Sequence, residues 1–147
     1  MEYACLNWNP FYECYKYDLQ RIQNKKARYI FFRENKYYNQ NNSSIELCNI
    51  YNLESLEKRR SNITMVYLFK LLNGLIDDPL FLSKLSFNVP VYRTRNTLSF
   101  YLPYVAYNNR HLNSPLFSMC NLYNKLQDDV DIFNITLFQL KNFLKQM

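Results

Sequence analysis

The sequence predicts a mainly α protein, with about five or six helices in a small irregular bundle and a Pro/Asn-rich irregular segment around 88–113. Three observations lead there. The 147 residues contain one glycine, Gly74, whereas hairpin-rich β folds need several at positive φ. Apolar residues recur at helical spacing over several stretches. Helix-opening signals also recur, at Ser43 with Glu46, Asp78-Pro79, Ser114-Pro115 and Thr136 with Gln139.

The elements follow in order. The aromatic start ends at Pro10, a residue suited to the first turn of a helix. From about Phe11 to Phe32 the pattern is helical. Tyr15, Leu19, Ile22 and Ile30 define the face expected to point inward, with Lys16, Arg21, Lys25 and Arg28 largely off it. Lys26 falls near the apolar stripe and weakens the pattern. Glu34 to Asn42 is polar and aperiodic, hence a loop.

Ser43 and Glu46 form a capping box that opens a short helix carrying Ile45, Leu47 and Ile50. Asn52 is expected to cap the next helix, with Glu54 and Glu57 in its favourable first turn. Down one side of that helix run Leu56, Ile63, Val66, Tyr67, Lys70 and Leu71, and Asn73-Gly74 closes it. Asp78 caps a further helix with Pro79 first, expected to end near Phe87. Between Asn88 and Asn113, Pro90 and Pro103 interrupt, and Leu98 to Leu102 reads as one short strand at most. Ser114-Pro115 starts a helix to about Leu126. Thr136 and Gln139 form a second capping box, flanked by a staple of Ile135 and Leu140, and the last helix presents Leu137, Leu140, Phe143 and Leu144.

Length and composition set the class. One domain with a modest core fits 147 residues, read as 1–87 helical and 88–147 irregular with C-terminal helices. Apolar residues at 48% and charged residues at 20% describe a folded chain. The 14 tyrosines and 11 phenylalanines supply large buriable rings. The net charge of +6 favours polyanionic partners, nucleic acid first. A solvated surface without a partner is the plain alternative, since such a charge is ordinary for a small domain.

No secretory signal and no apolar run of membrane-spanning length is seen, so an intracellular location is expected, with no membrane partner. Cys5, Cys14, Cys48 and Cys120 lack metal or redox spacing, and reduced, partly buried thiols are expected. The three glycosylation-like triplets at Asn42, Asn62 and Asn134 read as chance matches in an Asn-rich chain.

No catalytic set is expected. A histidine-based triad would have to use His111, the only histidine. Asp77-Asp78 reads as a helix cap, and Asp128, Asp129 and Asp131 as a turn rather than a two-metal site. No glycine-rich phosphate loop is present, and no small-molecule substrate or cofactor is expected. The basic runs carry more. Lys25, Lys26, Arg28 and Arg33 lie along the first long helix and Lys58, Arg59 and Arg60 on the third, with Arg93 and Arg95 in the irregular segment. Near aromatic residues, these could grip a phosphate backbone. They could equally face solvent, or Arg60 could pair with Glu57.

The order of short motifs resembles the C-terminal part of non-LTR retrotransposon reverse transcriptases of insect jockey-like type. Glu2-Tyr3-Ala4 with Trp8-Asn9-Pro10 is similar to the family's EYAS-x-x-W-x-P stretch. Asp18-Leu19, Ile22-Gln23-Asn24-Lys25 and Arg28-Tyr29-Ile30 look like its following helix, although Lys26 stands where a small or apolar residue is usual. Leu53, Ser55-Leu56-Glu57 and Arg59-Arg60 resemble L-x-S-L-x-x-R-R, and Tyr67 to Gly74 resembles L-F-K-[IL]-[LI]-[NH]-G. Phe87-Asn88-Val89-Pro90, Asn113-Ser114-Pro115 and Asp131-Ile132-Phe133 continue the order.

The resemblance implies thumb and post-thumb helices of an RNA-directed DNA polymerase. The family's metal-binding aspartates lie upstream and have no counterpart here, so magnesium is implied only for a complete parent enzyme. The implied role is a non-catalytic fragment with weak binding to RNA or DNA. Because Met1 falls inside the pattern, a start at an internal methionine of a decayed copy is expected. The alternative is a helical protein-interaction module with no nucleic-acid role. Helices that once packed on a palm should expose apolar surface at Trp8, Tyr3 and part of Tyr67–Phe69 and should favour self-association.

Overall fold

The structure is a computed structural model describing residues 2, 4–10, 12–36, 43–89, 98–102 and 114–146. Among the described residues the protein is mainly α, with seven helices: α1 (Cys5–Trp8), α2 (Glu13–Asn35), α3 (Ser44–Ile50), α4 (Leu56–Leu72), α5 (Pro79–Leu82), α6 (Pro115–Leu126) and α7 (Leu137–Gln146). Most of the segment expected to be irregular lies outside the described residues, including Pro90, Pro103, Arg93, Arg95 and His111. Among the described residues two compact units form, one from residues 2, 8–10, 12–36 and 43–60, the other from residues 4–7, 61–89, 98–102 and 114–146.

The first unit is built on α2 and α3. Ala27, Leu47 and Cys48 form its small apolar core, with Phe31, Tyr51 and Leu53 packed on it. The expected inward face of α2 is corrected. Tyr15 and Ile22 are exposed, whereas Gln23 and Ala27 are buried. Amides do the docking. Gln23 Nε2 donates to the Glu54 carbonyl at 2.9 Å, and Gln20 Oε1 accepts the Leu56 N–H at 3.0 Å. Asn24 Oδ1 accepts from Gln20 Nε2 at 3.2 Å and from Cys48 Sγ at 3.6 Å. Polar side chains can line a buried helix face when their partners satisfy them.

Ser43 and Glu46 close the capping box as expected, with the Ser43 Oγ accepting from the Glu46 N–H. Asn52 does not cap α4. It sits at φ 50°, one residue past the C-cap of α3, with the Leu53 N–H donating to the Cys48 carbonyl at 2.8 Å and its own N–H to Asn49 at 3.1 Å. That is a Schellman closure, and Asn tolerates its left-handed position better than most residues. The capping role passes to Ser55, whose Oγ accepts the Lys58 N–H at 3.2 Å.

The second unit holds the larger core, with Met65, Leu68, Phe69 and Leu71 from α4, Met119, Cys120 and Tyr123 from α6, and Leu140 and Leu144 from α7. Each such burial contributes about 1.5–3 kcal/mol. Part of Tyr67–Phe69 is expected to be exposed, but Leu68 and Phe69 are buried in the core and Tyr67 is half-buried. Ile63 and Val66 of the expected α4 line are only half-buried. Gly74 at φ 66° completes a Schellman turn, with the Leu75 N–H donating to Lys70 at 2.8 Å and the Gly74 N–H to Leu71 at 3.3 Å.

Asp78 caps α5 as expected, accepting the Phe81 N–H at 3.0 Å, but the helix ends at Leu82 rather than near Phe87. Phe87 instead forms an antiparallel bridge with Phe100. This is the only strand-like pairing among the described residues, and it matches the reading of one short strand at most. The α6 bounds are as predicted. Thr136 and Gln139 form the α7 box, with Ile135 and Leu140 both in the core assembly.

Buried polar groups complete this unit. Asn124 bonds both backbone groups of Phe100, and the Tyr123 hydroxyl accepts the Ile132 N–H at 3.3 Å. Gln127 Oε1 accepts from the N–H and hydroxyl of Ser99 at 2.8 and 3.0 Å.

Candidate nucleic-acid interface

The predicted basic residues that the structure describes all fall in the first unit, in two settings. On α2, Lys25, Lys26 and Arg33 are exposed, and none has a carboxylate within ion-pair distance among the described residues. Steps of three and four residues place them on one ridge, from Tyr15 through Asp18, Ile22, Lys25 and Lys26 to Tyr29, Arg33 and Lys36. Arg28 is exposed on the flank of that ridge, where its Nη2 donates to the Ser44 hydroxyl at 2.8 Å.

The cations at the start of α4 are already engaged. Lys58 Nζ lies 3.4 Å from Glu54, and Arg59 Nη2 lies 2.6 Å from Glu2. Arg60 is 2% exposed. Its Nη1 donates to Asn9 Oδ1 at 3.4 Å, and its guanidinium carbon lies 5.0 Å from the centre of the Trp8 ring. It is a structural cation turned inward, and it does not pair with Glu57. Glu57 instead takes Lys16, whose Nζ bonds both Glu13 and Glu57 at 2.8 Å. Hydrogen bonds to Glu13 first, then to Glu57, hold the Lys16 ammonium above its ordinary value. Of the seven predicted site residues, four therefore present cations from α2.

No protein-family model, no curated protein and no solved structure matches the chain.

The carboxylates are dispersed. Asp78 serves its helix, and Asp131 accepts from the Phe133 N–H at 3.0 Å and from the Asn134 side chain. Among the described residues no group of three or more His, Cys, Asp or Glu could hold a metal ion. None of their helices is long and apolar enough to cross a membrane. None of the four cysteines is in a disulfide. Cys5, Cys48 and Cys120 are buried and Cys14 is exposed, and burial pushes the Cys120 thiol up to about 11.

Sequence reasoning missed the rings on the cationic ridge. Tyr15 and Tyr29 are each 58% exposed and Ile22 is 50% exposed. Tyr15 and Ile22 read in the sequence as part of the inward face, and Tyr29, seven residues beyond Ile22, has no face assigned there. The line Gln20, Gln23, Asn24 and Ala27 marks the true inner face.

Proposed function

We propose that the chain is a C-terminal helical segment of a non-LTR retrotransposon reverse transcriptase, non-catalytic by itself. Its remaining chemistry is weak, salt-dependent binding of nucleic-acid backbone. The ordered motifs from Glu2-Tyr3-Ala4 to Asp131-Ile132-Phe133 support the family reading. The binding reading rests on one observation: Lys25, Lys26 and Arg33 share an exposed ridge of α2 with no carboxylate partner among the described residues. Exposed, uncompensated cations attract phosphates and release counterions on binding them.

Titration of a labelled oligonucleotide against salt tests this. Affinity should fall steeply as salt rises. Lys25→Gln/Lys26→Gln/Arg33→Gln should flatten the slope by roughly 0.7–0.9 for each phosphate that is no longer neutralised. No binding at low salt, or binding indifferent to salt, would remove the reading. The purified chain should not incorporate nucleotides. Genomic DNA upstream of the reading frame should encode a palm with paired aspartates.

A second reading, a helical protein-interaction module, is favoured by an exposed aromatic cluster in the second unit. The Phe87 and Phe133 ring centres lie 6.0 Å apart, and both rings are about half-exposed. Association through that cluster would vary little with salt, which separates it from phosphate binding.

A further inference from the structure

The α2 ridge mixes two chemistries. Tyr29 lies within one turn of Lys25, Lys26 and Arg33, so its ring and these cations are surface neighbours. Tyr15 repeats the exposed ring about 21 Å along the helix axis. A ridge selected for phosphates alone would need no rings. Tyr15 rests edge-to-face on Tyr12, with ring centres 6.1 Å apart, and at 58% exposure Tyr15 and Tyr29 each keep area open to a partner with a flat apolar face.

The candidate partners differ in charge and shape. A second copy of α2, laid antiparallel about Ile22, would bring Tyr15 to Tyr29. It would set one Asp18 against both Lys25 and Lys26 of the other copy and leave Arg33 without an acidic residue of α2 opposite, so the seam would keep a net positive charge. An apolar protein groove would have to desolvate the same cations. A duplex offers phosphates but hides its base faces within the stack. A single strand offers both phosphates and open base faces, which are the two features that this ridge complements.

Building on the proposal that α2 binds nucleic acid, we infer that its outer ridge takes single-stranded RNA or DNA. Lys25, Lys26 and Arg33 hold phosphates, and Tyr29 and Tyr15 stack on bases. The contact is sequence-tolerant, because every base has a π face.

The test is anisotropy with labelled oligo-dT, oligo-U and a hairpin duplex at fixed low salt, using the full chain and three variants. The wild type should bind both single strands more tightly than the hairpin. Comparison of oligo-dT with oligo-U separates DNA from RNA. Tyr15→Leu/Tyr29→Leu keeps apolar area but removes the π faces. It should weaken single-strand binding roughly tenfold and leave hairpin binding unchanged. Tyr15→Phe/Tyr29→Phe should restore wild-type affinity. Lys25→Gln/Lys26→Gln should weaken all three. If the Leu variant binds single strands like the wild type, or if the hairpin binds as tightly as they do, stacking is overturned while backbone binding stands. If no probe binds at low salt, both readings fall.

Discussion

Asn124 holds the backbone of Phe100 with both ends of one amide. Its Nδ2 donates to the Phe100 carbonyl at 2.9 Å, and its Oδ1 accepts the Phe100 N–H at 3.0 Å. Both residues are buried, so water cannot replace the amide. Asn124→Leu would leave two backbone groups unsatisfied, at about 1–3 kcal/mol each. Urea unfolding should show a loss of about 3 kcal/mol. A loss under about 1 kcal/mol would mean that the segment around Phe100 is held mainly by its ring, which lies 5.4 Å from the Tyr123 ring.

Arg60 and Trp8 make a second measurable pair. The guanidinium lies over the indole at 5.0 Å, and Arg60 is almost fully enclosed. Arg60→Ala should destabilise by about 2–4 kcal/mol, through lost stem packing as well as lost charge. A double-mutant cycle with Trp8→Leu should return a coupling of about 1 kcal/mol. Zero coupling would make the indole a bystander.

The left-handed helix ends predict opposite signs for two substitutions. Lys36 follows α2 at φ 62°, with its N–H donating to the Phe32 carbonyl at 2.8 Å. Lys36→Gly should stabilise by about 1 kcal/mol, by removing a Cβ from the left-handed region. Gly74→Ala should destabilise by a similar amount through backbone strain alone, because an added Cβ meets nothing within 4 Å. Thermal melts of the two variants should move in opposite directions.

Tyr51 carries a pH signature. Its hydroxyl donates to Glu34 Oε2 at 2.7 Å, and that bond, more than burial, pushes the phenol up to about 12 from its ordinary 10. The folded value exceeds the unfolded one. The contact's contribution to stability is therefore fully present below pH of about 10 and is lost as pH rises through about 12. The phenolate absorbance of the wild type minus that of Tyr51→Phe should isolate a single late-titrating tyrosine. A difference curve centred near 10 would show that the contact does not hold in solution.

Thiol labelling should divide the four cysteines. Cys14 is exposed and should react at once in the native state. Cys5, Cys48 and Cys120 are buried and should react only as the chain opens. Prompt labelling of Cys120 would contradict the closed core around α6.

Helix ends were the legible part of this fold. The signals at Ser43, Asp78, Ser114 and Thr136 act on backbone groups within three residues, so adjacent letters carry them. Asn73-Gly74 is equally local. Faces were less legible because they depend on distant partners. Gln20 and Gln23 point inward since they satisfy backbone groups of Glu54 and Leu56, more than thirty residues away, and no periodicity records that. Asn52 was misplaced because Asn suits both an N-cap and a left-handed C′ position. Arg60 was placed on the surface because an Arg usually lies there, whereas the Trp8 ring and Asn9 help to hold it inward. Half of the candidate ridge was therefore visible as charge, while Tyr15 was assigned to the wrong side of the helix and Tyr29 to neither side.

Amides and a small apolar patch together fasten α2 to its neighbours. Peeling that helix away would uncover the small patch around Ala27, Leu47 and Cys48, so its detachment should add less to the denaturant dependence or heat capacity of unfolding than opening the larger core would. Hydrogen exchange along Glu13–Asn35 should consequently depend on urea less steeply than exchange along α6. The ridge facing solvent would then sit on an element that can loosen while the larger core around Leu68 and Leu140 stays shut.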